Sequence, residues 1–267
     1  MKARFVSIAL AACCLCACSP SLSILHVNDT HSHLEPQRTV DRNGHGGVIE
    51  RAAIVDSVRQ SRGEENVLLL HAGDFNQGSS YFTVFGGELE VKMVNDFAYD
   101  CITLGNHEFD NGIEDLAARL AKIDCPVVSA NLRVEDTPLQ PYVQPYAIVE
   151  KAGRKIGIIG LVPNLKSNVS YSISSRLFQY KNDEVVNKWA KYLKKSEKCD
   201  LVILLSHLGY ENDIALVKKI RNVDIVIGGH SHTFVDDFKY VRDASGRRVP
   251  VITDGCFGLD VGEVIVK

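Results

Sequence analysis

Short apolar runs alternate with amphipathic stretches along the chain from Ser23 onward. Runs of four to eight residues that are apolar throughout are typical of strands buried inside a sheet. The runs that come nearest to this description, each of them largely apolar, are residues 22–27, 67–72, 101–104, 126–130, 155–162, 201–206 and 224–227. They predict a sheet-rich domain with most strands covered on both faces.

Three stretches between these runs have helical periodicity: residues 48–58, 113–123 and 184–195. Their apolar side chains recur at the three- and four-residue spacing that places them on one helix face. Asp183 and Asn212 are predicted to cap the N-termini of helices. Alternating strands and helices favour a largely parallel sheet and an α/β fold.

Two hairpins predict an antiparallel component. One joins residues 146–150 to 155–162, and the other joins residues 238–242 to 249–253. Residues 135–145 contain three prolines and are predicted to form a loop rather than a domain boundary. With no internal repeat or change of composition, residues 18–267 are predicted to form one domain.

The first 17 residues are predicted to be a targeting signal. Lys2 and Arg4 precede an apolar stretch that is too short to span a bilayer. Residues 15–18, Leu-Cys-Ala-Cys, resemble a bacterial lipoprotein box, which implies cleavage before Cys18 and a lipid on that cysteine. A plain signal peptide is the alternative. The expected protein is exported and lipid-anchored to the bacterial membrane, on the periplasmic or cell-surface side.

Composition narrows the possible functions. The 267 residues are 45% hydrophobic and 24% charged, as in ordinary globular proteins. A net charge of -3, without a basic stripe, excludes a nucleic-acid-binding surface of the usual kind. Outside the predicted leader, no cysteine pair has metal-site spacing. The sequence leaves open the disulfide pairing of Cys101, Cys125, Cys199 and Cys256.

Polar residues follow five of the predicted strands. They are Asp29 and His31, then Asp74, then Asn106, His107 and Asp110, then His207, and finally His230 and His232. Because the carboxyl ends of strands in an α/β sheet meet at one crevice, these side chains are expected to converge. Residues two apart on extended chain point the same way, so Asp29 with His31, and His230 with His232, are expected to reach one ion.

Imidazole nitrogen combined with carboxylate and amide oxygen suits Zn, Mn or Fe. The segments that carry these groups resemble the successive motifs of the calcineurin-like metallophosphoesterases, in their 5′-nucleotidase and cyclic-phosphodiesterase branch. The motifs are Asn28-Asp29-Thr30-His31, Gly73-Asp74, Gly105-Asn106-His107-Glu108-Phe109-Asp110 and Gly229-His230-Ser231-His232-Thr233. The resemblance implies a central mixed β-sandwich flanked by helices, in α/β/β/α layers, with two divalent metals at its edge.

The resemblance also implies a role for each residue. Asp29, His31 and His232 would bind the first metal, Asn106, His207 and His230 the second, and Asp74 would bridge both. A bridging water would attack phosphorus, in keeping with a two-metal clamp. His107, held by Asp110, would face the substrate and assist catalysis, and Glu108 would be mostly structural.

The expected function is hydrolysis of phosphate esters, most of all nucleoside 5′-monophosphates. Two alternatives stay open: a phosphodiesterase acting on 2′,3′-cyclic nucleotides or dinucleotides, and a binding lipoprotein on a decayed scaffold. The family's secreted members carry a second, C-terminal nucleotide-binding domain, whereas this sequence ends at Lys267. A separate polypeptide is therefore expected to supply that half, or else discrimination between bases is expected to be weak.

Overall fold

The computed structural model describes residues 20–39 and 43–267. The predicted leader and Cys18 lie outside the described residues, so cleavage and lipidation stay predictions. Within the described ranges, no helix combines the length and apolarity that a membrane crossing needs. Cys101, Cys125, Cys199 and Cys256 are all free thiols, and only Cys125 is not buried.

The first of two six-stranded sheets holds the N-terminal strands. In spatial order it contains β14 (Gly262–Val266), β1 (Leu22–Val27), β2 (Val67–His71), β3 (Cys101–Thr103), β4 (Val127–Val128) and β6 (Val143–Gln144). All neighbours are parallel except β14 beside β1. The segment predicted as a loop, residues 135–145, therefore contributes the short edge strand β6.

The second sheet holds the C-terminal strands. In spatial order it contains β12 (Lys239–Arg242), β13 (Arg248–Ile252), β11 (Ile225–Ile227), β10 (Leu201–Ser206), β8 (Arg154–Leu161) and β7 (Tyr146–Lys151). The four inner strands are parallel, and the predicted hairpins supply the antiparallel edges β12 and β7. A small ribbon pairs β5 (Leu132–Arg133) with β9 (Phe178–Gln179).

Helices cover the outer faces of both sheets. They are α1 (Gly47–Arg62), α2 (Ser80–Phe85), α3 (Glu88–Asp96), α4 (Ile113–Leu120), α5 (Leu165–Asn168), α6 (Tyr171–Ser174), α7 (Asn182–Lys195) and α8 (Tyr210–Val217). The predicted caps are wrong, since Lys181 caps α7 and Gly209 caps α8. Asp183 lies in the first turn of α7, and the Asn212 amide donates back to the Leu208 carbonyl instead of capping.

Alternation along β1 shows how the layers are held together. Leu22 and Ile24 pack in one apolar cluster with Ile156 and Ile158 of the second sheet. Leu25 and Val27 point the other way, into a cluster that includes Val55 of α1. A third cluster joins the far face of the second sheet to α7 and α8. The predicted β-sandwich flanked by helices is confirmed.

Candidate active site

The polar strand ends converge where the two sheets meet. In the first sheet, β1, β2 and β3 are parallel neighbours, and the segments after them carry Asp29 and His31, Asp74, and Asn106. In the second sheet, β10 and β11 are parallel neighbours that lead to His207, His230 and His232. The side chains form three overlapping groups, each able to offer ligand atoms within 4.8 Å of one another.

The first group is Asp29, His31 and His232. The Nε2 atoms of His31 and His232 approach to 2.9 Å. Asp29 Oδ1 lies 3.7 Å from the first of these nitrogens and 3.5 Å from the second. The other oxygen, Asp29 Oδ2, accepts hydrogen bonds from the Asn28 amide and the His230 N–H, which fixes the carboxylate. These three residues are the set that the family resemblance implies for the first metal.

The second group is Asp74, His207 and His230, and the third is His31, Asp74 and His107. His207 Nε2 lies 2.9 Å from Asp74 Oδ2. Its Nδ1 donates to the Ala72 carbonyl at 2.5 Å, so the ring presents Nε2 to the centre. Asp74 belongs to both groups, which is the position expected of a carboxylate shared by two ions.

Two buried oxygens of the candidate ligands, Asp29 Oδ1 and Asn106 Oδ1, accept no hydrogen bond from the described residues. A buried polar atom left unpaired costs about 1–3 kcal/mol, and coordination to a cation would remove that cost. The mixture of imidazole, carboxylate and amide donors suits Zn, Mn or Fe. The residues present therefore fit a pair of divalent ions.

The carboxylates at the centre are held in their charged form. Burial alone would raise the pKa of Asp74, but the neighbouring His207 outweighs it and lowers that pKa. Burial alone would lower the pKa of His207, and Asp74 and Asp29 instead raise it to about 10. A hydrogen bond to Asp29 raises the pKa of His232 to about 10. The centre thus attracts positive charge, whether protons or metal ions.

Five candidate ligands have left-handed backbone conformations. The φ angles are 49° at Asp29, 46° at His31, 54° at Asp74, 78° at His230 and 53° at His232. The extended geometry expected for Asp29-x-His31 and His230-x-His232 is therefore wrong. Asp29 and His31 still belong to one group of candidate ligands, whereas His230 and His232 belong to different groups. Such conformations cost energy and persist only where surrounding contacts fix them.

Two backbone hydrogen bonds attach the segment that carries Asp29 and His31 to the segment that follows β2. The N–H groups of Asp29 and His31 donate to the carbonyls of Gly73 and Asp74 at 2.9 and 3.1 Å. At Gly105, a Cβ atom would lie 2.1 Å from Asp74 Oδ1, so only glycine allows this loop to approach the shared carboxylate. The glycine in the Gly-Asn-His motif is thus required by close approach.

Glu108 joins two of these loops. Its fully buried carboxylate accepts four backbone hydrogen bonds: from Asp74 and Gly105 at Oε2, and from Phe75 and Asn76 at Oε1, over 2.5–3.2 Å. Burial beside Asp74 raises the pKa of Glu108 to about 7, and the four donors oppose that rise. The sequence indicated only a structural role for Glu108. Its burial and its hydrogen-bond partners are evident only from the folded structure.

His107 and Asp110 form a pair at the rim of the centre. His107 Nδ1 lies 2.8 Å from Asp110 Oδ2, and the two side chains are 32% and 30% exposed. The hydrogen bond to Asp110 raises the pKa of His107. The His107 N–H donates to Asp74 Oδ1 at 2.9 Å, which ties the pair to the shared carboxylate. The predicted pair is therefore close to the centre, and its proximity to His31 and Asp74 also permits a ligand role for His107.

Known proteins resemble this chain in sequence and in fold. Rat 5′-nucleotidase is 36% identical over 274 residues, which cover 92% of this chain and 46% of the rat protein. A probable 5′-nucleotidase of Treponema pallidum is 35% identical over 222 residues, covering 81% of this chain and 37% of that protein. The crystal structure of a 5′-nucleotidase precursor from Thermus thermophilus superposes with a TM-score of 0.86 at 32% identity, covering 92% of this chain and 51% of that one.

The chain spans about half the length of these relatives, or less. The polar strand ends described above, from Asp29 to His232, all lie within residues 22–234. Residues 22–234 match the calcineurin-like phosphoesterase family as a whole. The sandwich, the converging strand ends and this match together show that the chain belongs to the calcineurin-like phosphoesterases.

Proposed function

We propose that the protein hydrolyses phosphate monoesters, with nucleoside 5′-monophosphates as its main substrates. The observation that carries the proposal is the position of Asp74, which belongs to two groups of candidate metal ligands beside the His107–Asp110 pair. The similarity to 5′-nucleotidases from a mammal and two bacteria supports a nucleotide as the substrate.

In this proposal Asp29, His31 and His232 would hold one divalent ion, Asn106, His207 and His230 would hold the other, and Asp74 would be shared between them. When bound, such a pair supplies Lewis-acid stabilisation of the phosphoryl oxygens and activates a water nucleophile. Asp29 and Asp74 together provide two negative charges against the four positive charges of the ions. A phosphate dianion is therefore attracted to the centre rather than repelled.

His107 is assigned the proton transfer to the leaving oxygen. Its Nδ1 is bound to Asp110, so Nε2 is left to donate. Because Asp110 raises the pKa of His107, a larger share of the ring is protonated near neutral pH. A positioned acid of this kind typically contributes about 10²–10⁴-fold to the rate.

The test is a substrate panel with metal-depleted and metal-reloaded protein. Mn- or Zn-loaded protein should hydrolyse AMP, and chelated protein should not. Faster hydrolysis of 2′,3′-cyclic AMP or a dinucleotide than of AMP would replace the monoesterase assignment by the diesterase alternative. No turnover of any ester by protein loaded with two metals would favour the binding-protein alternative. Asp56→Asn, at an exposed position on α1, is the matched control for Asp74→Asn and should keep the activity of the wild type.

We also propose that Cys18 is lipidated after removal of residues 1–17, on the basis of the lipoprotein-like box. Mass spectrometry of protein from a bacterial membrane fraction should find an acylated mature N-terminus. Cys18→Ser should yield either released protein or unprocessed precursor. An unmodified mature N-terminus in wild-type protein would overturn the anchoring proposal and leave the catalytic one untouched.

A further inference from the structure

His71 is a polar residue at the end of an otherwise apolar strand. The four residues before it in β2, Val67 to Leu70, are all apolar, and His71 itself is 1% exposed. Its ring makes T-shaped contacts with the rings of Phe75 and Tyr99, at centroid distances of 5.7 and 5.4 Å. An imidazole buried in this way costs free energy unless its nitrogens have hydrogen-bond partners. Those partners therefore indicate why a histidine occupies this position.

Both ring nitrogens of His71 form hydrogen bonds. Nδ1 accepts from the Gly73 N–H at 3.1 Å. Because Nδ1 accepts, the proton of the neutral ring is on Nε2, which donates to Thr30 Oγ1 at 3.1 Å. Burial, with a contribution from the positive charge of Arg51, lowers the pKa of His71 to about 3. The ring is therefore neutral, and its two hydrogen bonds select one tautomer.

The two partners of His71 belong to the segments that carry candidate metal ligands. Gly73 directly precedes Asp74, which is shared by two groups of candidate ligands. Thr30 lies between Asp29 and His31, which both belong to the first group. One buried ring thus connects the segment of the shared carboxylate to the segment that would hold the first ion.

The connection adds to the backbone bonds between the same segments. Those bonds use the carbonyl of Gly73 and leave its N–H for His71. Gly73 has a φ of 89°, and a Cβ atom there would lie 2.7 Å from Gly105 N, so this turn is closely packed. Gly73 and Thr30 are both buried, so bulk water does not compete for either bond. The cavity lined by His71 and Thr30 measures only about 20 Å³, room for about one water molecule.

From these contacts, we propose that His71 is a positioning residue that sets the distance between Asp74 and the ligands of the first ion, Asp29 and His31. Because both ring nitrogens are already used, the ring binds no ion itself and acts through the Gly73 N–H and the Thr30 hydroxyl. This inference rests on the proposed function in one respect, that two ions occupy the centre. A residue that only filled the core would stabilise the fold without changing how the ions are held.

Four variants separate positioning from core packing. His71→Leu keeps an apolar side chain in the core and removes both hydrogen bonds. Thr30→Val keeps the shape of the side chain and removes only the hydroxyl that accepts from His71, whereas Thr30→Ser retains a hydroxyl. Leu69→Ala is the control, because Leu69 lies two residues earlier on the same face of β2 and is fully buried. It removes apolar contacts but no hydrogen bond to either segment.

The measurement is Mn²⁺ binding followed by electron paramagnetic resonance, which reports free Mn²⁺ and the magnetic coupling between two bound ions. His71→Leu should weaken the binding of one ion by about 10–100-fold, as is typical when a partner of the ligands is removed, and should change the coupling. Thr30→Val should have a smaller effect in the same direction, and Thr30→Ser should bind as the wild type does. Leu69→Ala should lower the unfolding temperature and leave both Mn²⁺ readouts unchanged.

Two results would overturn the positioning role. One is unchanged Mn²⁺ affinity and coupling in His71→Leu, and the other is a loss of affinity in Leu69→Ala as large as that in His71→Leu. If His71→Leu does not fold, the two Thr30 variants provide the test. Weaker binding in Thr30→Val alone supports the proposal, and equal affinity in Thr30→Val and Thr30→Ser overturns it.

The measurement does not depend on turnover, so it separates this inference from the proposed function. If the wild type binds two Mn²⁺ ions but hydrolyses no ester, the proposed hydrolysis fails, and a loss of affinity confined to the His71 and Thr30→Val variants still supports the positioning role. If the wild type hydrolyses AMP and His71→Leu keeps its affinity and coupling, the proposed function stands and the positioning role fails.

Discussion

The two sheets contribute different chemistry to the centre. The first sheet supplies both carboxylates, Asp29 and Asp74, and also the amide of Asn106 and the His107–Asp110 pair. The second sheet supplies only imidazoles, those of His207, His230 and His232. All negative charge for holding cations therefore comes from the first sheet, and the second completes the coordination with neutral donors.

The two sheets also differ in the contacts that hold their candidate ligands in place. The loops of the first sheet are joined by the Glu108 carboxylate and by backbone bonds between strand ends. The contributions of the second sheet range from the fully buried His207 to His232, whose side chain is 39% exposed. Changes in the first sheet should thus cost more than changes in the second, and the following predictions test this order.

The largest effect is expected from Asp74→Asn. The substitution keeps the shape of the side chain and removes the charge shared by the two ligand groups. Two nearby dications then repel without compensation, so both metals and activity should be lost together. The loss should exceed the roughly 10²–10⁴-fold typical of a missing acid. Metal analysis and AMP turnover measure it, and retention of two metals with normal turnover would show that Asp74 does not bridge.

His107→Ala should separate chemistry from metal binding. Two metals per chain should remain, while AMP hydrolysis falls by about 10²–10⁴-fold because the proton donor is gone. The loss should be smaller for 4-nitrophenyl phosphate, whose leaving group departs without a proton. Asp110→Asn should follow the same trend more weakly.

The same variant tests the alternative role of His107, which lies close to His31 and Asp74. Loss of one metal equivalent in His107→Ala would identify the ring as a ligand. Equal losses of rate on the two esters would argue against a general acid.

Glu108→Gln should weaken metal binding by about 10–100-fold, as is typical when a partner of the ligands is removed. A glutamine places an NH₂ group against at least two of the four N–H donors that the carboxylate now accepts. Metal titration and thermal unfolding would measure the change. Glu114→Gln, at a 62% exposed residue of α4, is the control. Unchanged metal affinity would show that the loops hold their shape without Glu108.

The smallest effect is expected from His232→Gln in the second sheet. The amide oxygen is still a usable donor, and at this exposed position water can complete the coordination. Affinity for one metal should fall by less than about tenfold, which is below the 10–100-fold loss expected for Glu108→Gln. A larger loss than in Glu108→Gln would break the proposed order of the two sheets.

Much of the fold could be predicted because it depends on local patterns. Residues 201–205 are all apolar, and together with Ser206 they form the strand β10, which is buried along its whole length. Ile113, Leu116 and Leu120 recur at helical spacing, and they form the buried face of α4. The short helices α2 and α3 were not predicted, because runs of six and nine residues carry too little periodicity.

The convergence of the candidate ligands could be predicted from the sequence, but their geometry could not. Strand ends in one sheet must lie near each other, so the order of motifs was enough to expect convergence. The left-handed conformations at Asp29 and His230 depend on contacts with residues far along the chain, such as Gly73 for the Asp29 N–H. The bonds of Glu108 likewise arise only once the loops after β2 and β3 lie side by side.

The central claim is that two divalent ions share Asp74. The most direct measurement is a crystal structure of Mn-loaded protein with anomalous scattering data. The account predicts two anomalous peaks about 3.5–4 Å apart, with the Asp74 carboxylate in contact with both. Asp29, His31 and His232 should surround one peak, and Asn106, His207 and His230 the other. A single peak, or two peaks of which only one touches Asp74, would contradict the account.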